Sequence, residues 1–142
     1  MDRFKMIASS YLILIQNGKI LLSRRFNTGY EDGKYSLPAG HVEEGETLTQ
    51  CVAREIFEEI GVTIEPKKFT LVHVMHRKEQ DIRMDYFFTA TIGEQTPVNR
   101  EPRKCDDLRW FPLTKLPVNT IPYICHAISR YRNKISYSEF GW

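Results

Sequence analysis

Cysteine is scarce in this chain, and the three that occur lie far apart. Cys51, Cys105 and Cys125 form no C-x-x-C pair, and their number is odd. Such an arrangement argues against a disulfide framework and against a structural zinc site. We therefore expect reduced thiols and a cytoplasmic protein, with Cys51 packed beneath a helix as a small hydrophobic side chain.

Long apolar runs are missing as well. The run nearest the N-terminus, residues 7–15, contains Ser9 and Ser10 and leads directly into the turn sequence Asn17-Gly18. A membrane-spanning helix needs about 20 predominantly apolar residues, and a secretory signal ends in a small-residue cleavage site. The run meets neither requirement, so we expect a strand there and no membrane partner.

The chain also has little excess charge, no internal repeat, no low-complexity segment and no linker. Its 20 Lys and Arg residues nearly balance its 18 Asp and Glu residues, which leaves a formal net charge of +2. So small an excess gives no reason to expect a stable complex with a nucleic acid. A length of 142 residues and a hydrophobic content of 42% are typical of one globular domain. We expect a single domain spanning residues 1–142.

What is present is a pattern of strands around two helices. Asn17-Gly18 between two strand-like runs predicts a two-residue hairpin. Thr47 is a good helix N-cap, with Gln50 placed to complete a capping box, and Gly61 suits the position after the helix end. The predicted strands are residues 7–16, 19–25, 69–77, 82–92 and 108–111, and the predicted helices are residues 48–60 and 121–133. This order favours an α/β/α sandwich.

The first predicted helix has an apolar arc and an acidic arc. The apolar arc, which should face the core, contains Val52, Ala53, Ile56, Phe57 and Ile60. Glu55, Glu58 and Glu59 share the other arc, because positions three and four apart are neighbours on a helix surface. Three carboxylates this close repel each other, so a cation should compensate them. Carboxylate oxygens suit hard divalent ions, and Mg²⁺ is held by a few carboxylates together with substrate phosphates.

Residues 40–62, GHVEEGETLTQCVAREIFEEIGV, combine these acids with glycines and an arginine at defined spacing. The segment resembles the Nudix box, G-x5-E-x7-R-E-U-x-E-E-x-G-U with U a bulky aliphatic residue, and no specified position is missing. At ordinary residue usage, a chance match at one start position is on the order of one in a billion. The resemblance implies a Nudix-type α/β/α sandwich with a mixed central sheet, and a hydrolase that cuts nucleoside diphosphates linked to another group.

The same resemblance implies a role for each residue of the catalytic centre. Glu55, Glu58 and Glu59 are implied to hold Mg²⁺ or Mn²⁺, with the backbone carbonyl of Ala39 as a further ligand. One acid of the cluster can instead act as general base. Arg54 is implied to orient a box glutamate through a salt bridge. Many family members have glycine where this chain has Ala39, a departure that matters only if the backbone there needs a positive φ.

Three residues outside the box are candidates for contact with the substrate. Arg24 and Arg25 end the second predicted strand, and arginine pairs well with phosphate oxygens. A solvated strand end is an equally good interpretation of this pair. Glu101 lies in a late loop, from which an acid in this family can reach the metal centre as ligand or base. The aromatic tail, residues 137–142, should pack on the body or on a partner subunit, so a homodimer stays open.

The substrate class follows from markers that are missing after the box. The proline typical of ADP-ribose hydrolases, the tyrosine typical of dinucleoside polyphosphate hydrolases and the NADH-type signature are all absent. The chain therefore resembles the compact MutT-like group. That implies Mg²⁺-dependent cleavage of a nucleoside triphosphate, or of a modified nucleotide, to the monophosphate and pyrophosphate. Two alternatives stay open: hydrolysis of ADP-ribose or a dinucleoside polyphosphate, and a non-catalytic module that senses a nucleotide.

Overall fold

Nine strands form two sheets, and two helices pack against them, in a computed structural model that describes residues 1–142. The strands are β1 (Ile7–Leu12), β2 (Ile15–Gln16), β3 (Lys19–Arg25), β4 (Tyr35–Ser36), β5 (Ala39–His41), β6 (Thr70–Lys78), β7 (Ile82–Thr89), β8 (Cys105–Pro112) and β9 (Tyr137–Phe140). The helices are α1 (Leu48–Ile60) and α2 (Pro122–Arg132), with a 3₁₀ turn at Pro66–Lys68. Neither helix combines the length and hydropathy needed to cross a membrane.

The first sheet is mixed, as expected, and has five strands in the order β5-β1-β7-β6-β9. Strand β1 runs parallel to β7 and β6 runs parallel to β9, while the pairs β1–β5 and β6–β7 are antiparallel. The second sheet is organised around β3, which pairs with β2, β4 and β8. Strand β5 therefore forms an edge of the first sheet, and the predicted Nudix box begins at that edge.

Two hydrophobic cores lie on opposite faces of the sheets. Side chains alternate between the faces of a strand, so neighbouring residues can enter different cores. Tyr11 and Phe87 belong to the core that packs against α2, while Leu12 and Phe88 belong to the core that packs against α1. The strands thus lie between the two helices, which confirms the predicted α/β/α sandwich.

Helix α1 has the predicted limits because both of its ends are capped locally. Thr47 Oγ1 accepts a hydrogen bond from Gln50 N at 3.1 Å, and Gln50 Oε1 accepts one from Thr47 N at 2.8 Å. Gly61 adopts φ 69°, and its N–H donates to the carbonyl of Phe57 at 3.1 Å. The side chains buried beneath the helix are Cys51, Val52, Ile56 and Ile60. Cys51 is therefore packed as predicted.

The prediction that Phe57 faces the core is wrong. Its side chain is 49% exposed, and the guanidinium of Arg100 lies 5.0 Å from its ring centre. Val52, Ile56 and Ile60 already fill the space against the sheets. Phe57 lies at the border of the apolar arc, next to Glu58. The buried face of the helix is narrower than that arc and does not include Phe57.

The strand predicted over residues 7–16 is two strands in different sheets. Strand β1 ends at Leu12, and β2 begins at Ile15. Between them, Ile13 N donates to Phe88 O at 2.8 Å in the first sheet, while Leu14 O accepts from Leu21 N at 3.0 Å in the second. The chain changes hydrogen-bonding partner here without interrupting its apolar pattern, so the sequence gives no sign of the break. The hairpin at Asn17-Gly18 is confirmed between β2 and β3.

Other predicted boundaries shift where pairing decides the limits. Strand β7 ends at Thr89 rather than at residue 92, and α2 lies just inside its predicted range. Strand β8 begins at Cys105 rather than at residue 108, because β3 supplies backbone partners along its whole length. Asp106 and Asp107 have low strand propensity, so the longer strand is not visible in the sequence.

The aromatic tail packs on the body of the protein, which is one of the two expected positions. It does so as a strand, β9, which was not predicted and which runs parallel to β6. The imidazole of His73 lies 2.7 Å from the carbonyl of Ile135, just before β9, and 2.7 Å from Ser138 Oγ within β9. These two contacts hold β9 against β6. This strand depends on the surface that β6 presents, rather than on a periodic pattern of its own.

Candidate active site

One cavity of about 650 Å³ collects every residue expected to form the site. Both sheets and both helices contribute to its walls. The expected residues that line it are Arg24, Arg25, Ala39, Arg54, Glu55, Glu58, Glu59 and Glu101. The cavity therefore carries a set of carboxylates from α1 and the late loop together with a set of basic groups from the strands.

Gly40 allows β5 to approach α1 at the edge of this cavity. A Cβ atom at this position would lie 2.0 Å from Cδ of Glu55 and 2.2 Å from its Oε1. Only a residue without a side chain leaves Glu55 its place beside the strand. The preceding residue, Ala39, does not have a positive φ. Alanine in place of the glycine of other family members therefore introduces no backbone strain.

Glu59 is the acid of the cavity with the least compensation from the protein. Its Oε2 accepts one hydrogen bond, from the backbone N–H of Ala39 at 3.1 Å, and no Lys or Arg forms a salt bridge with it. Burial raises the pKa of this carboxyl well above its usual range, and the charges of Glu55 and Glu101 raise it further. A carboxyl in such surroundings stays ionised only if a cation comes close to it.

Arg54 compensates the other acids of the box. Its guanidinium lies 2.8 Å from Glu46, 2.8 Å from Glu55 and 3.5 Å from Glu58. Its hydrogen bonds lower the pKa of Glu46 to about 2. Burial nevertheless raises the pKa of Glu55, against the opposing effect of Arg54. The structure thus contains the salt bridge from Arg54 to a box glutamate that the resemblance implied.

These acids fit a divalent cation as an incomplete set of ligands. No group of three or more carboxylate, imidazole or thiol side chains is arranged to hold a metal ion by itself. Glu59 nevertheless forms no salt bridge, and Glu55 and Glu101 raise its pKa by more than the Ala39 N–H and the charge of Arg25 lower it. Mg²⁺ usually takes only one or two carboxylates and completes its shell with water and substrate phosphates. The donors therefore suit Mg²⁺ that is held jointly with a phosphorylated substrate.

Arg24 and Arg25 line the cavity, but both already have partners in the protein. Arg24 Nε donates to Asp106 at 2.7 Å on the cavity rim. Arg25 Nε donates to the carbonyl of Tyr30 at 2.7 Å, and its Nη2 donates to Thr28 Oγ1 at 3.1 Å. Arg25 therefore organises the loop between β3 and β4. The sequence allowed two interpretations, a phosphate-binding arginine or a solvated strand end. The bonds of Arg25 to the loop are an additional role that neither interpretation included.

Glu101 reaches the cavity, as expected for an acid of the late loop. Its backbone N–H donates to Asn99 Oδ1 at 3.0 Å, and its carbonyl accepts from the N–H groups of Lys104 and Cys105 at 2.9 Å. These bonds form a turn that fixes the backbone. The carboxylate itself has only the Lys104 ammonium, 3.9 Å away, as a charged partner. Its oxygens are therefore accessible to groups inside the cavity.

Several residues of the cavity wall were not predicted, among them Tyr30 and Arg83. Tyr30, at the tip of the loop after β3, donates its hydroxyl to Glu79 at 2.5 Å, so the loop spans one side of the cavity. Arg83 lines the cavity from β7. The alternation of Arg83 and Asp85 within an otherwise apolar strand was the available signal, since alternate residues share one face.

His41, at the end of β5, connects Arg83 with the box. Its carbonyl accepts a hydrogen bond from Arg54 Nη2 at 3.3 Å, and its ring Nε2 lies 3.4 Å from Arg83 Nη1. Partial desolvation lowers the pKa of the ring, and the charge of Arg83 lowers it further. Both effects favour the neutral form of the imidazole, beside which the guanidinium can lie.

Known proteins resemble this chain in sequence over most of its length. The NUDIX domain matches residues 6–126. The NAD-capped RNA hydrolase NudC of Stutzerimonas stutzeri is 32% identical over 116 residues, which cover 82% of this chain and 40% of that protein. The phosphatase NudJ of Shigella boydii is 25% identical over 116 residues, which cover 76% of each protein. The chain thus spans less than half of the NudC relatives that it matches.

A solved structure shows the same fold. The MutT NUDIX hydrolase from Burkholderia pseudomallei superposes with a TM-score of 0.80 at 26% identity, over 88% of this chain and 97% of that chain. Three observations lead to one assignment: the box is complete, the fold places the box acids in a cavity, and the NUDIX domain matches most of the chain. The chain belongs to the Nudix hydrolase family.

Proposed function

We propose that this Nudix hydrolase is a Mg²⁺-dependent pyrophosphohydrolase that converts a nucleoside triphosphate, ordinary or modified, into the monophosphate and pyrophosphate. The observation that carries the proposal is a cavity in which Glu59 is buried beside two other carboxylates and forms no salt bridge, while basic side chains line the remaining walls. A phosphate anhydride bound with a divalent ion matches both features, because it brings positive charge to the acids and negative charge to the bases. Mn²⁺ can replace Mg²⁺, and residues 1–142 act as one domain.

The metal site in this proposal combines side chains of α1 with the backbone of β5. Glu55, Glu58 and Glu59 would hold the ion together with the carbonyl of Ala39, and Glu59 would be the principal ligand. A bound Mg²⁺ supplies neutralisation of the non-bridging phosphate oxygens and polarisation of the attacking water. Arg54 touches Glu55 and Glu58, so it positions these carboxylates rather than the substrate.

Hydrolysis also needs an acceptor for the proton of water. The water oxygen forms a bond to the α-phosphorus, the bond from that phosphorus to the α–β bridging oxygen breaks, and its electron pair leaves with pyrophosphate. Glu101 accepts the water proton. Its carboxylate lines the same cavity as Glu59 and is not tied into a short ion pair. A general base has to be within reach of the proton, and the place of Glu101 in the cavity wall supports this role.

The nucleoside lies, in this proposal, near the end of β3 and the loop that follows it. Arg25 holds the loop through Tyr30 and Thr28. The ring of Tyr30 lies 5.3 Å from the Arg25 guanidinium and presents an aromatic surface beside the cavity. Aromatic rings stack readily on nucleobases without strong base preference. Arg25 therefore contributes to binding by ordering the loop.

The NudC relatives favour one other candidate, the pyrophosphate bond of a dinucleotide. Those proteins are named NAD-capped RNA hydrolases. The same acids would serve either reaction, since only the group beyond the cleaved anhydride differs. ADP-ribose and dinucleoside polyphosphates belong to this candidate as well. A non-catalytic sensing module is disfavoured, because all box acids are present and the cavity brings them together.

A hydrolysis panel tests the proposal. Nucleoside triphosphates, ADP-ribose, NAD and dinucleoside polyphosphates are incubated with the protein and Mg²⁺, and the products are identified by chromatography. We expect the highest kcat/KM for a triphosphate, release of monophosphate and pyrophosphate, and no turnover in excess chelator. If ADP-ribose or a dinucleotide has the highest kcat/KM, the proposed substrate class is wrong. If nothing is cleaved with Mg²⁺ or Mn²⁺, the proposal that the protein is an enzyme fails.

A further inference from the structure

Arg83 has a hydrogen-bond donor that nothing in the protein uses. Its Nε is buried and has no acceptor. Its Nη2 lies 3.3 Å from Asp81, and its Nη1 lies 3.4 Å from His41 Nε2, so the existing contacts are long. A buried N–H without a partner is unfavourable, because it has lost its hydrogen bonds to water. An acceptor in the cavity would remove this cost once a small movement of the Arg83 side chain, which lines the cavity, turned Nε toward it.

Strand pairing directs Arg83 toward the cavity. In the first sheet, Arg83 is paired with Ile7, Asp85 with Ser9, and Ser9 with His41. Directly paired residues point to the same face of a sheet, as do alternate residues of one strand. Arg83, Ser9 and His41 therefore share a face, and all three line the cavity. Ala39 lies on the same face of β5, two residues before His41.

The other guanidinium groups of this region are occupied. Arg24 pairs with Asp106, Arg25 with the loop after β3, Arg54 with the box acids and Arg77 with Asp85. None of them has a buried N–H without an acceptor. Arg83 is therefore the arginine of the cavity that is best placed to donate to a ligand.

We propose that Arg83 forms an anion subsite that binds the terminal phosphate of the substrate, the part that leaves within pyrophosphate. This inference rests on the proposed function. Nε and a neighbouring Nη of a guanidinium form a fork that matches two phosphate oxygens. His41 and Asp81 position that fork from either side. The site therefore selects substrates that end in a phosphate over substrates that end in an uncharged sugar.

The test compares one substitution on two substrates. Arg83→Gln removes the charge and the fork, and Arg109→Gln is the matched control, because Arg109 is 59% exposed, pairs with Asp107 and does not line the cavity. We expect Arg83→Gln to lower kcat/KM for a nucleoside triphosphate roughly 10- to 100-fold, the scale of a lost charged hydrogen bond. For ADP-ribose the change should stay below about threefold. Equal losses on both substrates, or no loss on either, overturn the subsite.

A binding measurement separates this inference from the proposed function. Inorganic pyrophosphate is titrated into the protein in the presence of Mg²⁺, and the heat of binding is recorded without any need for turnover. The unmodified protein and Arg109→Gln should bind alike, with Arg83→Gln roughly tenfold weaker. Equal binding by all three, or no binding by the unmodified protein, overturns the subsite. Arg83-dependent binding without hydrolysis of any nucleotide overturns the proposed function alone.

A second variant keeps the inference testable if Arg83→Gln does not fold. Arg83→Lys retains the positive charge and removes the fork. We expect a loss of roughly three- to tenfold in kcat/KM for the triphosphate and none for ADP-ribose. A parallel change for both substrates would assign Arg83 to the shape of the cavity rather than to the terminal phosphate, and would overturn the proposal.

Discussion

Two charged regions of this protein use the same kinds of residue and differ in how completely the protein satisfies them. In the first sheet, Arg77 and Asp85 are 1% and 0% exposed, and Asp85 accepts hydrogen bonds from Arg77 Nε at 2.6 Å and from Tyr11 Oη at 3.2 Å. On α1, Glu59 accepts a single bond, from the Ala39 N–H at 3.1 Å. The charges of the buried pair have all their partners within the protein, whereas the charge of Glu59 has too few unless a ligand is bound.

This difference is the one expected between a structural charge and a charge that needs a ligand. A buried charge is stable only when partners inside the protein replace its lost hydration. Asp85 has those partners, and the Arg77 guanidinium also lies 3.6 Å from the centre of the Tyr123 ring. Glu59 has instead two carboxylate neighbours, Glu55 and Glu101, which raise its pKa. Perturbed acids in a cavity are typical of catalytic sites, because a ligand supplies the missing compensation.

The largest expected effect is on stability, at the buried pair. Asp85→Asn leaves the Arg77 guanidinium without its carboxylate, and breaking a buried pair in this way costs about 3–5 kcal/mol in the free energy of unfolding. Denaturant unfolding followed by circular dichroism measures the change. Asp106→Asn is the control, because Asp106 pairs with Arg24 at the surface and its loss should leave the midpoint nearly unchanged. An Asp85→Asn protein as stable as the unmodified one would contradict the structural role.

The second effect is on turnover, at the cavity. Glu59→Gln removes a charge with little change in shape and should lower kcat at least about 100-fold, the scale of a lost metal contact. Its fold should remain intact, because Glu59 supports no salt bridge. Glu44→Gln is the matched control within the box, since Glu44 is exposed and does not line the cavity. Near-full activity in a folded Glu59→Gln protein would contradict the assignment of the site.

A smaller effect tests the fit between β5 and α1. Gly40→Ala places a Cβ atom against the carboxylate of Glu55. The displaced acid should lower kcat/KM roughly 10-fold or more, since small displacements in an active site have large kinetic effects. The neighbouring change Ala39→Gly keeps the backbone carbonyl and should retain most of the activity. Steady-state kinetics on the preferred nucleotide compares the two, and a greater loss in Ala39→Gly than in Gly40→Ala would contradict this account of the fit between β5 and α1.

The sequence predicts the local parts of this architecture well. Helix α1 has the expected limits because Thr47, Gln50 and Gly61 cap it through bonds to nearby backbone groups. The box spacing alone predicts which acids lie together, since helical geometry converts that spacing directly into proximity. All eight expected site residues consequently line one cavity.

The parts that depend on distant partners are not readable from the sequence. Strand β9 exists because β6 offers it a parallel neighbour, and β8 extends to Cys105 because β3 pairs with it. Phe57 has the right periodicity for the core, but the space is filled by its neighbours. Arg83 enters the cavity through strand register, and its unused donor is visible only when the surrounding acceptors are known.

The most direct test of the central claim is the response of thermal stability to Mg²⁺. A ligand that binds only the folded protein raises the free energy of unfolding by about 1.4 kcal/mol at ten times its dissociation constant. The melting temperature of the unmodified protein should therefore rise with added Mg²⁺. In the double variant Glu58→Gln/Glu59→Gln, the metal-free melting temperature should already be higher, and Mg²⁺ should have no effect on it. An unchanged Mg²⁺ response in the double variant would place the metal elsewhere and contradict the account.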